Sequence, residues 1–294
     1  MKNEKANQNL RAIVYALAAA LFYALNVPCS KALLKEVPPT YMAAFLYLGA
    51  GIGVGVMYLI YGRKSEAKPL NRKDAPYVIG MIVLDIVAPI LLMAGIRLGN
   101  ASNASLLGNF EIVATSLIAF WFFREKISGR LWTAIVLVSI ASAVLSFAGE
   151  GSFTFSAGSL FVLAAASCWG LENNCTRRIS DKSTYQIVTV KGLCSGTGSL
   201  LIALALGERF PDFGRIPVIL LLGFIAYGLS IFSYVRAQSV LGAARTGAYY
   251  AAAPFLGVIL SIVFLRERPD WIFAIALIIM LVGTVLVVKD STKR

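Results

Sequence analysis

The hydrophobic pattern of this chain is that of a protein that crosses a membrane many times. Apolar runs of about 20 residues, the length of a helix that spans about 30 Å of hydrocarbon, recur along the chain with short polar segments between them. We therefore predict an all-α polytopic membrane protein. Its ten transmembrane helices are predicted at about 11–34, 40–61, 75–97, 101–123, 128–147, 157–177, 184–206, 215–236, 242–264 and 269–288.

Charge predicts the orientation of these spans. Of the 27 lysines and arginines, nineteen fall in segments on the side of the N-terminus, seven fall on the opposite side, and Lys191 lies inside a span. Because cytoplasmic loops carry the excess of positive charge, both termini are predicted to be cytoplasmic, in the cell membrane. The net charge of +12 therefore reflects topology, and binding to nucleic acid is not predicted.

The first span has a copy later in the chain. Residues 17–31 match residues 163–177 at a constant offset of 146, with triple alanine on triple alanine. In this match Tyr23 corresponds to Trp169, and Asn26 corresponds to Glu172. The match predicts an internal repeat whose two copies differ in the charge of one deep side chain.

The repeat extends over both halves, because Phe122-Phe-Arg-Glu and Phe264-Leu-Arg-Glu end the fourth and ninth spans. Each half contains five spans, an odd number, so the second half must enter the membrane from the opposite side. This predicts an inverted repeat, which in many secondary transporters places the substrate site near the midplane between the halves. The predicted halves are residues 1–147, with spans 1 to 5, and residues 156–294, with spans 6 to 10.

Spans 2 and 7 carry glycines four residues apart. Gly51 is followed by Gly55, and Gly192 by Gly196. Spacing of this kind favours close approach of two helix backbones, although glycine is also generally common in membrane helices.

Ten spans in two halves, with an aromatic-rich Arg-Glu motif closing span 4 and span 9, resemble the drug/metabolite transporter superfamily, in particular its EamA-like family of bacterial permeases. The resemblance implies a central cavity lined mainly by spans 1, 3, 4, 6, 8 and 9, with alternating access by rocking of the two halves. Members export amino acids, carry nucleotide precursors or vitamins, or take up small cations. Many have a proline midway along both span 4 and span 9; here Pro254 is present in span 9, and Glu111 stands in span 4.

Four ionisable side chains lie deep in predicted spans: Asp85, Glu111, Glu172 and Lys191. A charge at the bilayer centre costs at least about 2.5–3.5 kcal/mol, so each requires a partner, a wet cavity or a function. Asp85 and Glu111 lie about ten residues, or roughly 15 Å, from their helix ends, on neighbouring antiparallel spans that can face one cavity. Each is interpreted either as a carboxylate that binds an ammonium group or a proton, or as a protonated acid hydrogen-bonded within the bundle.

Glu172 and Lys191 lie at similar depth on spans 6 and 7, which a short loop connects. One interpretation is a structural salt bridge. The other places Glu172 in the cavity, with Lys191 tuning its protonation or holding a substrate carboxylate.

Aromatic and amide side chains accompany these charges. Ammonium groups bind against aromatic faces, although aromatic residues in membrane helices are often only packing or interfacial. Asn26 is followed by Pro28, which frees backbone groups that need a wet or protein-lined site. Aromatic candidates in the cavity spans are Tyr23, Phe110, Trp169, Tyr227, Tyr234, Tyr249 and Tyr250. The predicted substrate-binding residues are Tyr23, Asn26, Asp85, Glu111, Trp169, Glu172, Asn173, Lys191, Tyr227 and Tyr250.

Catalysis is not predicted. The chain has no histidine, which excludes His-dependent nucleophile pairs and metal sites, and it has no phosphate-binding G-x-x-x-x-G-K-[ST] loop. Asp85 is the only aspartate deep in a span, so a pair of intramembrane catalytic aspartates is also excluded. Four cysteines lie in spans without metal-site spacing, and no cofactor or metal is predicted.

These features together predict a secondary transporter of a small organic metabolite that works by alternating access. Three deep acids against one lysine favour an amine-bearing substrate: an amino acid, an amine or an organic cation. Proton coupling and facilitated transport are both open, and a channel-like facilitator or a lipid flippase of the same fold is the alternative. The expected partners are the substrate, the lipid bilayer and protons, and a monomer suffices because one chain contains both halves.

Overall fold

A computed structural model describes residues 2–61, 68–124, 127–147, 156–179, 181–241, 246 and 249–291. This part of the chain is helical, apart from one isolated β-bridge between Lys68 and Lys182. The α-helices are α1 (Lys2–Ala24), α2 (Asn26–Leu33), α3 (Pro39–Tyr61), α4 (Ala75–Leu98), α5 (Ala101–Leu107), α6 (Phe110–Phe123), α7 (Gly129–Phe147), α8 (Ala157–Arg178), α9 (Thr184–Ala205), α10 (Ile216–Gly223), α11 (Ser230–Leu241), α12 (Ala253–Leu265) and α13 (Trp271–Ser291).

The prediction of an all-α polytopic membrane protein is confirmed. Eight helical segments in the described ranges are long and apolar enough to cross a bilayer. The two further predicted spans correspond to α8, which is 22 residues long but polar in its second half, and to α12, an apolar helix of 13 residues. Residues 242–245, 247 and 248 of the predicted ninth span lie outside the described part of the chain.

Several predicted spans are not continuous helices, which corrects the sequence prediction. Span 1 is interrupted at Leu25, between α1 and α2, and span 4 is interrupted at residues 108–109, between α5 and α6. Span 8 passes through a π-helical turn at Phe224–Leu229, and a turn at residues 251–252 precedes α12. In a membrane, broken helices are tolerated where protein or a water-filled cavity satisfies the freed backbone groups, so these interruptions indicate where the cavity lies.

The helices pack in pairs, of which α3 with α9 is the most extensive. α4 packs on α8 and α1 on α11, while α5 packs on α12 and α7 on α13. The core between them contains large buried side chains such as Met42, Met93 and Leu107.

Glycine lets α3 and α9 cross at backbone contact, as the spacing predicted. A Cβ atom added to Gly51 would lie 2.5 Å from the backbone nitrogen of Leu193, and one added to Gly192 would lie 2.3 Å from the backbone nitrogen of Gly51. A Cβ atom added to Gly196 would lie 2.7 Å from the backbone nitrogen of Leu48. At Gly55 the nearest atom is a Thr189 methyl carbon at 3.4 Å, which is an ordinary contact.

Gly51→Ala is therefore expected to destabilise the protein by about 1–3 kcal/mol, because the backbones of α3 and α9 must separate to admit a methyl group. The measurement is the melting temperature of the purified protein in detergent. Gly55→Ala is the matched control on the same helix and should change the melting temperature little. Equal melting temperatures for the two variants would contradict the close crossing.

Candidate functional site

A cavity of about 90 Å³ lies among the broken helices. Its wall comes from α1, α2, α4, α5, α6, α8 and α12, which belong to spans 1, 3, 4, 6 and 9. Most of the lining is apolar, including Val27, Leu92, Ile112 and Val162. The described lining contains none of the span 8 residues that the resemblance implied.

One carboxylate lines this cavity. Glu111 lies in the first turn of α6, directly after the interruption of span 4. The amide Nδ2 of Asn173 on α8 donates a 2.6 Å hydrogen bond to Glu111 Oε1 and lies 3.4 Å from the hydroxyl of Thr115. No other charged side chain is among the described residues of the lining, so the charge of an ionised Glu111 has no basic partner in the wall.

Three aromatic side chains share the cavity wall with Glu111: Tyr23, Trp169 and Tyr250. The rings of Tyr23 and Tyr250 lie 5.9 Å apart between centroids. Behind them, Tyr227 packs edge-on against Tyr23 at 5.9 Å, and Tyr234 packs against Tyr250 at 5.1 Å. The structure thus brings Tyr23, Glu111, Trp169 and Tyr250 together, and it places Tyr227 and Tyr234 in a second row.

The other three deep ionisable groups form a separate ion cluster, which we define as Asp85, Glu172 and Lys191. Lys191 Nζ lies 3.0 Å from Asp85 Oδ2 and 3.0 Å from Glu172 Oε1. All three residues are buried, with exposed fractions of 0%, 2% and 8%. Glu172 and Lys191 therefore form a salt bridge, which was one of the two interpretations of this pair.

Asp85 belongs to the ion cluster and not to the described cavity wall. We expected its carboxylate to share a cavity with Glu111, but Asp85 is absent from the described lining and faces Lys191 on α9. The physical reason is that a buried ammonium group has three N–H donors that need acceptors, and Asp85 accepts from one that Glu172 does not reach.

Neutral donors complete the ion cluster. The Tyr47 hydroxyl donates to Asp85 Oδ1 at 2.8 Å, and the Trp169 indole Nε1 donates to the same oxygen at 3.3 Å. The hydroxyl of Thr176 donates to Glu172 Oε1. Because Trp169 also lines the cavity, its ring is the physical link between the ion cluster and the cavity.

Asn26 and Tyr227, both predicted to bind substrate, bind each other. Asn26 Nδ2 donates a 3.0 Å hydrogen bond to the Tyr227 hydroxyl, and Asn26 Oδ1 accepts one of 3.1 Å from Ser30. Asn26 is fully buried and is absent from the described lining. The pair fixes α2 against the π-helical turn behind Tyr23.

Tyr227→Phe is expected to destabilise the protein by about 1–3 kcal/mol, because it leaves the buried amide of Asn26 without its acceptor. The exposed Tyr77→Phe is a matched control that should leave stability within about 0.5 kcal/mol of the wild type. Chemical or thermal unfolding in detergent measures both. A Tyr227→Phe variant as stable as the control would show that the bond contributes nothing.

Sequence reasoning missed two polar residues at the break between α5 and α6. The Ser105 hydroxyl lines the cavity, is buried, and has no hydrogen-bond partner among the described residues. Asn109 also lines the cavity, donates to Leu106 O at 3.1 Å, and accepts from Thr284 at 3.4 Å. The dipeptide Gly108-Asn109, which is a turn signal inside an apolar run, could have indicated this break.

A bundle of membrane-spanning helices that are interrupted around a small cavity, with a carboxylate and aromatic faces in its wall, defines a membrane transporter of small molecules. The chain belongs to the EamA-like transporter family, whose model matches residues 10–147 and again residues 156–289. The resemblance inferred from the sequence is thereby confirmed. The protein is a transporter and not an enzyme.

Two relatives and one solved structure are similar over most of the chain. An uncharacterized transporter of Methanothermobacter thermautotrophicus is 26% identical, covering 91% of this chain and 83% of the relative. An uncharacterized transporter of Clostridium kluyveri is 22% identical, covering 95% and 94%. A protein of known crystal structure has a TM-score of 0.69 at 18% identity over 94% of each chain, which is a likeness of fold.

Proposed function

We propose that this protein carries a small organic molecule with a cationic amine group across the cell membrane by alternating access. Glu111 binds the ammonium group of the substrate, and Tyr23, Trp169 and Tyr250 provide aromatic faces around it. The observation that supports this most strongly is a carboxylate in a mostly apolar cavity with no basic side chain in the described lining. An ammonium group satisfies both the carboxylate and the aromatic faces, because the negative faces of aromatic rings attract cations.

The charges of the ion cluster also favour a positively charged substrate. Lys191 is engaged by two carboxylates, Asp85 and Glu172, and is therefore not available to neutralise Glu111 or to hold a substrate carboxylate. With all of these groups ionised, the three acids exceed the one lysine by two negative charges. A cationic substrate, or a proton in its place, lowers the electrostatic energy of this region.

Competition between the substrate and a proton gives a route to proton coupling. In this proposal Glu111 carries either the ammonium group or a proton, so loading of one requires release of the other. Asn173 can donate to the carboxyl oxygen in either state.

The packing supports alternating access by two inverted halves, residues 1–147 and 156–294. Under the proposed symmetry, the contact of α4 with α8 corresponds to that of α1 with α11, and the contact of α6 with α8 corresponds to that of α1 with α12. Helices α3 and α9 pair with each other, as do α7 and α13. The arginines of the two Arg-Glu motifs also have the same backbone conformation. Arg124 follows α6 and Arg266 follows α12, with positive φ angles of 53° and 54°.

The orientation proposed from the basic residues places both termini in the cytoplasm. The ion cluster then lies toward the cytoplasmic side of the cavity, because Glu172 and Lys191 lie near the helix ends on that side. One chain contains both halves, and we propose that the monomer is sufficient for transport.

A thermal-shift screen of the purified protein with matched compounds tests the substrate class. Choline and its neutral isostere 3,3-dimethyl-1-butanol form one pair, and an arylalkylamine and its N-acetyl form make another. We expect saturable stabilisation by amine-bearing compounds and little by their neutral partners. Equal stabilisation by a neutral partner would refute the proposed amine-bearing substrate while leaving the transporter class intact.

A further inference from the structure

A second cavity, of about 730 Å³, opens at the end of the bundle where α2, α4 and α9 end. It shares none of its described lining with the central cavity. Its wall is formed by the turn between α2 and α3, the last turn of α4 and the loop between α9 and α10. Three basic side chains from these three segments converge on it: Lys35, Arg97 and Arg209.

These three basic side chains have no acidic partner within the described residues. Two acids also line the cavity, but each is engaged elsewhere. Glu36 Oε2 accepts from Arg215 Nε at 2.8 Å and pairs with Arg215 Nη2 at 2.6 Å. Asp212 Oδ1 accepts from the backbone N–H of Gly214 at 2.9 Å. The cavity therefore keeps an excess of positive charge.

A basic residue near the C-terminal end of a helix usually caps its last carbonyl groups. At the end of α4, Lys31 already has this role. Lys31 Nζ donates to the carbonyl oxygens of Ile96 at 2.7 Å and Gly99 at 2.5 Å, at the C-terminal end of α4. It also lies 3.2 Å from the carbonyl oxygen of Arg97. Because Lys31 satisfies this helix end, the side chains of Lys35 and Arg97 are free for another partner.

The three basic residues of this cavity lie on the side of the membrane where basic residues are rare. In the proposed orientation this cavity lies on the outer face, where only seven of the 27 basic residues occur. The positive-inside bias disfavours basic residues in short outer loops, and three of the seven nevertheless meet in one cavity.

We infer that this outer cavity binds a phosphate-type oxyanion between Lys35, Arg97 and Arg209. Arginine presents a planar fork of donors that matches phosphate oxygens, and lysine adds a point charge. The source of the phosphate is the headgroup of an anionic phospholipid, because exposed apolar side chains adjoin the cavity. Leu98 follows Arg97, and Phe213, which is 78% exposed, packs against the lining residue Phe210.

Native mass spectrometry of the delipidated full chain tests this site with phosphatidylglycerol as the probe and phosphatidylcholine as the zwitterionic control. Removing one charge should weaken phosphatidylglycerol binding about fivefold, since one basic side chain near a lipid surface contributes about 1 kcal/mol. The variants are Arg97→Gln and Arg209→Gln, both exposed positions where folding should be unaffected. Arg268→Gln, another basic residue of the outer face, is the matched control and should bind like the wild type.

A parallel thermal shift with inorganic phosphate separates the two sources. Weaker phosphatidylglycerol binding in both variants, with no phosphate effect, supports the lipid headgroup. Stabilisation by phosphate in the wild type that is lost in both variants supports the oxyanion site and assigns it to a soluble anion. Phosphatidylglycerol and phosphate responses that are the same in wild type, both variants and Arg268→Gln would overturn the proposal.

Discussion

Replacing Lys191 with methionine is expected to destabilise the protein by about 3–5 kcal/mol. The substitution removes the only positive charge of the ion cluster and leaves the buried carboxylates of Asp85 and Glu172 facing each other. Breaking a buried ion pair by removing one partner has a large effect because an uncompensated charge stays in a region of low dielectric constant. The melting temperature and the folded fraction in detergent measure the loss.

Two further variants separate the ion cluster from a general effect of losing a lysine. Lys73→Met removes an exposed lysine and should leave stability within about 0.5 kcal/mol of the wild type. The triple variant Asp85→Asn, Glu172→Gln, Lys191→Met removes every charge of the cluster and should recover much of the lost stability. If Lys191→Met alone melts like Lys73→Met, Lys191 is not held by the two acids.

The second large effect is expected for Glu111→Gln, which should weaken binding of an amine-bearing ligand by about 100-fold. Loss of one partner of a desolvated charge pair removes about 2–5 kcal/mol of binding free energy, and 2.7 kcal/mol corresponds to 100-fold. The fold should survive, because Asn173 can donate to the amide oxygen of glutamine as it does to the carboxylate. Ligand-induced thermal shifts, titrated over concentration, give the affinity.

Glu208→Gln is the control for this prediction. Glu208 accepts a single 2.9 Å hydrogen bond from Thr40 and is absent from the described lining of the central cavity. Its amide variant should bind the ligand as tightly as the wild type. Equal loss of affinity in both variants would indicate a general change in the bundle, and no loss in Glu111→Gln would remove Glu111 from substrate binding.

The sequence predicted the all-helical, membrane-spanning class and the four deep charges because these depend on local properties. Apolar length marks a span wherever it packs, and a charge inside such a span is expensive whatever its partner. The pairing of Glu172 with Lys191 was also available as one of two interpretations, since a short loop brings their helices together.

The direction of each deep side chain could not be predicted in the same way. Successive residues of an α-helix point about 100° apart. The rotation of α4 about its own axis therefore decides whether Asp85 points into the cavity or toward Lys191. That rotation is set by long-range packing, including Tyr47 on α3, whose hydroxyl binds Asp85. The hydrophobic pattern gave too little contrast to fix it, because spans buried in protein and facing lipid are apolar on most sides.

The helix breaks were missed for a related reason. Residues 101–122 are apolar enough on average to form one span, and only the Gly108-Asn109 turn signal indicates that span 4 changes helix there. The break matters for function because it places Glu111 in the first turn of α6, where its carboxylate lines the cavity.

The central claim is that Glu111 binds a cationic substrate during transport, and flux into proteoliposomes tests it most directly. The substrate is the amine-bearing compound that stabilises the protein most in the thermal-shift screen. We predict saturable flux in the wild type and in Glu208→Gln, and loss of that flux in Glu111→Gln at the same amount of folded protein. Saturable flux that is undiminished in Glu111→Gln, or that favours the neutral isostere over the amine, would contradict it.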